Sequence, residues 1–397
     1  MASRDWDLEL LTLVAVHFNA DLEAARARLA AADAAVTTAG QRPNPTLQLP
    51  LQRTLNPRDG ESSWTLGLGL DIPVETRGKR DYRIAEAARR VAAARLQVAN
   101  LAWTQRSQLR EQLLALESGA EKTKLLQQQV ELDQSLVALL QKRLEQGYVA
   151  AGDLNQQQLA LIRSNSELLG ARREAGAARV KLAGLLGLPA GALDGVELAP
   201  AGSTATDPPL PLAELRSLAL LNRADVLESL ESYEASQAAL QLEVARQYPD
   251  LHLGPGYTLD QGARKAGFDF SGIELPVFNR NEGPIAEARA RREEAAAKVR
   301  QAQARAWSEL DAGLVNYRIA REALNQAERQ HTLMQAQLAA RRRAFKLGEE
   351  DRVALELDRK TELAARLAAF DAAIQVQQAL GRIEDAIQRP LSTIDKQ

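Results

Sequence analysis

The feature that most constrains the fold is a long stretch of sequence in which nothing interrupts a helix. From Asp81 to Gln146 there is no proline and a single glycine, Gly119. At a rise of about 1.5 Å per residue, such a helix is on the order of 100 Å long. A second stretch of this kind begins at Gly283-Pro284 and runs to Leu347. Aromatic residues make up only 4% of the chain, which favours long helices over a compact globule.

The two long helices belong to two copies of one duplicated unit. The segment that begins at Ala20 recurs at Ala224, 204 residues later, and the segment that begins at Ile84 recurs at Ile285. A period this long indicates duplication of a domain-sized unit. The sequence therefore predicts a first structural repeat, a linker rich in glycine, proline, serine and threonine, and a second repeat, over residues 1–190, 191–211 and 212–397.

Each repeat is predicted to contain an opening helix, a β-hairpin and a helical hairpin. Apolar and polar residues alternate strictly in the hairpins, with Trp64, Leu66 and Leu68 on one face. The predicted β-hairpins cover residues 46–74 and 250–278, and the predicted helical hairpins cover 81–187 and 284–388. The predicted strands are Thr46–Thr54, Ser63–Val74, Asp250–Asp260 and Gly267–Phe278, with a bulge at Ser271-Gly272.

The strands alone leave two interpretations open. Each has close to the 9–11 residues with which a tilted strand crosses a bilayer, but amphipathic hairpins on a soluble α+β domain show the same pattern. The long helices favour the first. An apolar residue recurs about every seventh position on the first long helix, in a narrow seam that includes Leu109 and Val130, while its other faces are polar. Such helices suit a tube that is wet on both sides. Because four strands cannot close a barrel, we expect several chains to share one.

Composition excludes several other classes of protein. The net charge of −2 gives no sign of a nucleic-acid-binding patch, and the absence of cysteine excludes disulfides and thiolate metal sites. The three histidines, His17, His252 and His331, show no ligand spacing, so we interpret them as structural. No catalytic, cofactor-binding or metal-binding motif appears. We therefore expect no enzyme activity and no cofactor.

The two repeats share helix–proline–strand openings, which are Arg42-Pro43-Asn44-Pro45 and Gln247-Tyr248-Pro249-Asp250. They also share helix ends, which are Leu185-Leu186-Gly187 and Ala379-Leu380-Gly381, and tracts at the strand–helix junctions that begin at Ile72 and Leu275. With these features the duplicated pattern resembles the TolC-like outer-membrane efflux channel family over nearly the whole chain. The tracts at the strand–helix junctions are most similar to its CzcC-like, heavy-metal branch.

The resemblance implies a mainly α protein with a small β part, assembled as a homotrimer. It implies a 12-stranded transmembrane β-barrel in outer-membrane lipid and a long α-helical periplasmic tunnel. The trimer would be a passive conduit, opened by a periplasmic adaptor, fed by a proton-driven inner-membrane pump, and expected to export heavy-metal cations. No signal peptide is recognisable after Met1, so we expect the natural precursor to begin upstream. The alternative is a soluble or periplasmic coiled-coil scaffold or adaptor without a channel.

The turns of the two helical hairpins are the candidate functional sites. Under the resemblance, adaptors would contact these tips at Arg143, Gly147, Leu154, Gly348 and Leu355. The second repeat has Ala344 where the first has Arg143, so the two tips need not be equivalent. Nearby acids are candidates for attracting cations to an aperture, or for complementing helix dipoles, and they are Asp153, Glu349, Glu350, Asp351 and Glu356. We also predict helix N-caps at Asp153 and Asp351.

Overall fold

The computed structural model describes residues 6–196, 198–199, 212–270 and 274–391. Its helices are α1 (Leu8–Phe18), α2 (Ala20–Gly40), α3 (Lys79–Glu145), α4 (Ala151–Leu185), α5 (Leu212–Asn222), α6 (Ala224–Ala245), α7 (Glu282–Lys346) and α8 (Arg352–Ile387). Its strands are β1 (Thr46–Gln48), β2 (Leu51–Arg53), β3 (Trp64–Val74), β4 (Leu251–Asp260) and β5 (Ala263–Phe270). Within the described residues, none of the helices combines the length and apolar character needed to cross a membrane.

The chain folds into two compact units, and each unit draws on both halves of the sequence. The all-helical unit contains residues 1–24, 99–223 and 304–397. The sheet-bearing unit contains residues 25–98 and 224–303. The three clusters of buried apolar residues that occur in the described chain all lie in the all-helical unit. No such cluster lies in the described residues of the sheet-bearing unit, where the buried apolar side chains include Val226, Leu240 and Leu242 of α6.

Two of these clusters are built from equivalent positions of the two repeats. In the first, Leu11 of α1 packs with Leu109 of α3 and with residues of α4. In the second, Leu215 of α5 packs with Leu310 of α7 and with residues of α8. All four leucines are at most 1% exposed. The positions in the two clusters differ by 204 and 201 residues, which are the offsets between the repeats in the sequence. Each repeat therefore builds its own helical core.

The opening helix is divided in two, because a polar residue caps a new helix at Asn19. The side-chain oxygen of Asn19 accepts hydrogen bonds from the backbone amides of Asp21 and Leu22, and its side-chain Nδ2 donates to the carbonyl of Leu185. The prediction of one continuous helix is wrong here, since this cap starts α2 separately. In the second repeat Arg223 takes the equivalent place and donates to the carbonyl of Ala386.

The predicted seam on α3 is partly correct. Leu109 and Val130 are buried, but the other seam positions are half-buried. Other buried side chains lie one to three residues away from a seam position, at Leu113, Leu125 and Leu136. The buried stripe is therefore wider than one residue in seven, because α3 contacts more than one helix.

The sheet is antiparallel, in the order β1–β3–β4–β5, with β2 also paired to β3. The predicted strand Thr46–Thr54 is split in two by Leu49 and Pro50. Proline has no amide hydrogen to donate to the ladder, whereas its carbonyl accepts from the amide of Gly67 at 2.8 Å. β1 and β2 therefore occupy one interrupted strand position along β3.

The second predicted hairpin differs from the structure in register and length. Gln261 and Gly262 both have positive φ and form a tight turn, so β5 begins at Ala263 and not at Gly267. β5 ends at Phe270, and residues 274–278 are not in a strand. The predicted bulge at Ser271-Gly272 lies outside the described residues.

One prediction about the ends of α4 and α8, the second helices of the two helical hairpins, is wrong. α4 ends as predicted at Gly187, which has a φ of +71°. A Cβ at this position would lie 2.5 Å from the carbonyl oxygen of Phe18, so only glycine fits. Gly381, in contrast, lies inside α8, where a Cβ would clash with the guanidinium of Arg110. The positive φ that ends α8 belongs to Gln388. Gly381 is therefore a packing glycine.

Candidate functional site: a two-faced sheet and two hairpin tips

One face of the sheet is apolar and exposed. Leu66 and Leu68 of β3 lie opposite Leu259 and Tyr257 of β4 in the register, and all four side chains are exposed. Neighbouring strands extend the same face with the exposed side chains of Leu47, Leu51, Phe268 and Phe270. A contiguous apolar patch of this kind marks a surface that contacts lipid or another protein.

The opposite face is polar and rich in glycine. Near one end, Asp260 accepts hydrogen bonds from Thr65 at 2.7 Å and from Lys265 at 2.8 Å. Near the other end, Asp71 lies beside His252. Between these two polar groups the face carries mainly the glycines Gly67, Gly69, Gly254, Gly256 and Gly267. A sheet with one apolar and one polar face can separate lipid from water.

Both edges of the sheet lack a strand partner within the described chain. β1 and β2 lie at one edge, and β5 lies at the other. An exposed edge leaves a row of unpaired amide and carbonyl groups that can pair with a strand of another chain. The sheet of a single chain is therefore open on both sides.

Ion pairs fix the junction between the strands and the long helix. Arg83 of α3 forms an ion pair with Glu75, and its second nitrogen donates to the other carboxylate oxygen at 3.0 Å. This hydrogen bond raises the pKa of Arg83. Arg80 donates to the carbonyl of Gly40 at the end of α2. The start of α3 is thereby tied to both the end of β3 and the end of α2.

The first hairpin tip ends α3 in the predicted manner. Gly147 has a φ of +75°, its amide bonds to the carbonyl of Leu144 at 3.0 Å, and the amide of Tyr148 bonds to the carbonyl of Arg143 at 2.9 Å. This pair of bonds is the Schellman motif, which glycine favours. The side chain of Tyr148 is exposed at the turn.

The second tip repeats this geometry at the end of α7. Gly348 has a φ of +77°, and the amide of Glu349 bonds to the carbonyl of Ala344 at 3.0 Å. Here Leu347 is exposed. The predicted glycine helix ends at 147 and 348 are both confirmed by the positive φ.

The two tips contact one another through charged side chains. Arg143 of the first tip forms an ion pair with Asp351 of the second. Burial would raise the pKa of Asp351, but the hydrogen bond from Arg143 and the amides of α8 outweigh it and lower that pKa. Asp351 is the N-cap residue of α8, as predicted. Asp153 is not the N-cap of α4, since Ala150 holds that position and its backbone amide donates to the carboxylate of Asp153 at 3.3 Å.

The structure divides the remaining tip candidates by exposure. Leu154 and Leu355 are buried, so in a single chain their side chains pack the hairpins together and are not available to a partner. Glu356 is also buried, and both its oxygens accept from Arg359 at 3.0 Å. The acid at Glu350 pairs with Arg341. Of the five candidate acids, Asp153 and Glu349 are the exposed ones.

Buried charges in the middle of the helical unit had no signal in the sequence. Asp133 of α3 is fully buried and accepts from Gln157 of α4 at 2.7 Å. It also accepts from Ser164 and forms an ion pair with Lys360 of α8.

Comparison with known proteins gives consistent results. The chain is 27% identical over 279 residues to the cobalt-zinc-cadmium resistance protein CzcC of Cupriavidus metallidurans, a match that covers 70% of this chain and 65% of CzcC. Its fold is similar to that of the outer-membrane channel OprN, with a TM-score of 0.79 and 21% identity over 97% of this chain and 90% of OprN. The outer membrane protein VceC from Vibrio cholerae gives a TM-score of 0.77 and 19% identity over 97% of this chain and 96% of VceC.

The match to a protein family covers most of the chain. The family model described as outer membrane efflux protein matches residues 15–188 and 215–387, one segment in each repeat. Both segments include a β-hairpin and a helical hairpin, so the sheet and both tips lie inside the match. The chain therefore belongs to the outer membrane efflux protein family.

Proposed function

We propose that three copies of this chain form the outer-membrane exit duct of an efflux system. The observation that carries the proposal is the sheet, with one exposed apolar face, one polar face and two open edges. Open edges are costly in lipid, and about eight strands are needed to enclose even packed side chains. Since β1 and β2 share one strand position, each chain supplies four positions, and three chains close a barrel of twelve.

In this trimer the apolar face meets lipid and the polar face lines a water-filled passage. β3 has 11 residues and β4 has 10, which is the length of a tilted strand that crosses a bilayer. The helices α3 and α7, of 67 and 65 residues, extend the passage as a periplasmic tunnel. The chain acts as a conduit and performs no chemistry.

The hairpin tips are the proposed docking site for a periplasmic adaptor, through which a proton-driven inner-membrane pump delivers cargo. Both tips combine a glycine turn with an exposed apolar side chain, Tyr148 in one and Leu347 in the other. Arg143 lies half-exposed beside them. Such a surface offers apolar and charged contacts to a partner.

Heavy-metal cations are the proposed cargo. The support is the similarity to CzcC, whose name describes cobalt, zinc and cadmium resistance. The exposed acids Asp153 and Glu349 at the tips would attract cations to the mouth of the duct.

A soluble coiled-coil scaffold is the competing function, and the sheet argues against it. A soluble protein would cover the leucines and phenylalanines of the apolar face, whereas here they are exposed. Detergent dependence separates the two functions. We expect the extracted protein to be a trimer that forms open channels in planar bilayers. A stable monomer in the absence of detergent would contradict the proposed function.

A further inference from the structure

The polar face of the sheet places one imidazole where the passage would run. The middle of this face carries mainly glycines, so few side chains project there. His252 lies at one end of the face, opposite Pro73 in the register and next to Asp71. Its side chain is 40% exposed, and that of Asp71 is 21% exposed. The imidazole is therefore open to solvent while its carboxylate partner is largely covered.

The contact between the two side chains determines which ring nitrogen carries hydrogen. His252 Nδ1 lies 3.0 Å from one oxygen of Asp71 and 3.2 Å from the other. An ionised carboxylate only accepts hydrogen bonds, so Nδ1 is the donor. In the neutral ring the lone pair is then on Nε2. Within the described part of the chain, Nε2 has no hydrogen-bond partner.

This arrangement matches the way proteins prepare a histidine to bind a metal ion. A metal-binding imidazole commonly donates its other N–H to a carboxylate, which fixes the tautomer and makes the free nitrogen more basic. Neutral imidazole is a preferred ligand for zinc, copper, nickel and cobalt. We infer that His252, oriented by Asp71, is a weak and exchangeable contact for transition-metal cations on the polar face of the sheet. Nothing in the sequence spacing indicates this pair, because 181 residues separate the two side chains.

Weak binding follows from the small number of ligands. In the described residues there is no group of three or more side chains that could hold a metal ion tightly. A passage needs contacts that cations can leave as readily as they enter. The inference extends the proposed function, since the trimer would place three such pairs at one level of the passage. Each pair would then retain a cation only briefly.

The competing explanation is that Asp71 and His252 form only a cross-strand pair that stabilises the sheet. The two explanations differ in what happens at Nε2. A structural pair does not require a free Nε2, and zinc would not affect it. A metal contact uses the lone pair of Nε2, so bound zinc would protect this nitrogen from chemical modification.

Chemical modification of histidine tests this directly on the full-length protein in detergent. Diethyl pyrocarbonate modifies the free nitrogen of a neutral imidazole, and mass spectrometry locates the product. We expect Zn²⁺ to slow modification of His252 in a concentration-dependent way. His17 is the control in the same molecule, because it is exposed and its ring packs against the ring of Phe18, with the ring centres 4.6 Å apart. Equal effects of Zn²⁺ at both histidines would overturn the inference.

A variant identifies the role of the carboxylate. Asp71→Asn keeps the size of the side chain but weakens its ability to orient the ring. We expect the Zn²⁺ concentration that protects His252 to rise by about 10-fold or more, as for other carboxylates that orient a ligand. Unchanged protection would show that Asp71 does not position the ring and would overturn that part of the inference.

Conductance separates this inference from the proposed function. In planar bilayers we expect Zn²⁺ to reduce the potassium current of the wild-type channel, and His252→Asn to remove that sensitivity. If no channels form at all, the proposed function fails, while the modification experiment still decides the metal contact. If channels form and the His252→Asn variant keeps the full zinc effect, the metal contact is wrong and the duct remains.

Discussion

Lys79 Nζ lies 2.7 Å from Asp250 Oδ1 and 2.7 Å from the carbonyl oxygen of Tyr248. Lys79 is the first residue of α3, and Asp250 immediately precedes β4, so the contact joins the strand–helix junctions of the two repeats. The same carboxylate accepts from the amide of Thr76 at 2.9 Å. The Lys79 side chain is 9% exposed. The buried ammonium group of Lys79 therefore holds the start of α3 against the start of β4.

We predict that Lys79→Met destabilises the sheet-bearing unit by about 1–3 kcal/mol. The variant removes the hydrogen bonds that Lys79 donates to Asp250 and to the carbonyl of Tyr248, and hydrogen bonds to charged groups contribute on this scale. Asp250 keeps 35% of its side chain exposed, which favours the lower part of the range. Thermal unfolding of the detergent-solubilised protein measures the effect. Lys298→Met is the matched control, because its pair with Glu294 is exposed on α7 and we expect no measurable change there.

The same ion pair gives a pH dependence. Burial would raise the pKa of Asp250, but the hydrogen bonds from Lys79 and Thr76 and the charge of Lys79 outweigh it and lower that pKa below 3.8. A carboxylate with a lowered pKa stabilises the fold above its unfolded pKa, and this stability is lost as the pH falls through the folded value. We expect the difference between wild type and Lys79→Met to be constant from about pH 8 to 5 and to shrink below about pH 4. A difference that grows in acid would contradict this assignment.

Another prediction concerns the buried charge in the helical unit. Lys360→Met leaves Asp133 fully buried without its cation, and breaking a buried pair costs about 3–5 kcal/mol. We expect a loss near 3 kcal/mol, because Lys360 itself is 27% exposed. Lys122→Met, whose partner Asp371 is exposed, is the control and should cost about 0–1 kcal/mol.

The double variant tests whether the charge itself is the cause. Replacing Asp133 by leucine in the Lys360→Met background removes the uncompensated carboxylate and leaves apolar side chains in its place. We expect this double variant to unfold at a higher temperature than Lys360→Met alone. A further loss of stability would show that the hydrogen bonds from Gln157 and Ser164 outweigh the charge.

The sequence predicts what is set by local chemistry. Helix ends at Gly147 and Gly348 follow from the need for positive φ, and the long helices follow from the absence of proline. Alternating apolar residues in β3 and β4 predict the two faces of the sheet. These features depend on residues that are close together in the chain, so they can be predicted from a single sequence.

What the sequence could not predict depends on contacts between distant segments. Asp71 and His252, or Asp133 and Lys360, meet only because the helices and strands of the two repeats pack together. The turn before β5 was also missed, because glutamine at 261 adopts a positive φ that its residue type does not favour. The sequence pattern predicts a helix end at Gly381, whereas this glycine lies inside α8 and Arg110 packs against it.

The apolar face of the sheet gives a prediction about membrane insertion. Leu68 lies near the middle of β3 on the exposed apolar face. If it faces the centre of the bilayer, Leu68→Arg should cost about 2–4 kcal/mol and reduce the yield of folded trimer. Thr258→Arg, on the polar face of β4, is the matched control and should assemble normally. Equal yields from both variants would show that Leu68 does not face lipid.

The last prediction concerns the first hairpin tip. A Cβ at Gly147 would meet no atom within 4 Å, so the φ of +75° is the only obstacle to a side chain. A β-branched residue is poorly suited to this conformation, and Gly147→Val should cost about 1–2 kcal/mol locally. Gly147 and the sheet belong to different units of the chain, so we expect trimer assembly to be unaffected. Pump-dependent export and cross-linking to the adaptor should both fall, because the turn that presents Tyr148 and Arg143 is distorted.

Two further variants show whether backbone conformation is responsible. Asparagine tolerates positive φ better than other residues with a side chain, so Gly147→Asn should retain more export than Gly147→Val. Gly152→Ala, five residues along the same tip, lies in α4 with open space around it and should leave export unchanged. Export, adaptor cross-linking and trimer yield are measured in parallel for all three variants. If Gly147→Val exports and cross-links as well as wild type, Gly147 only ends a helix and the adaptor does not depend on this turn.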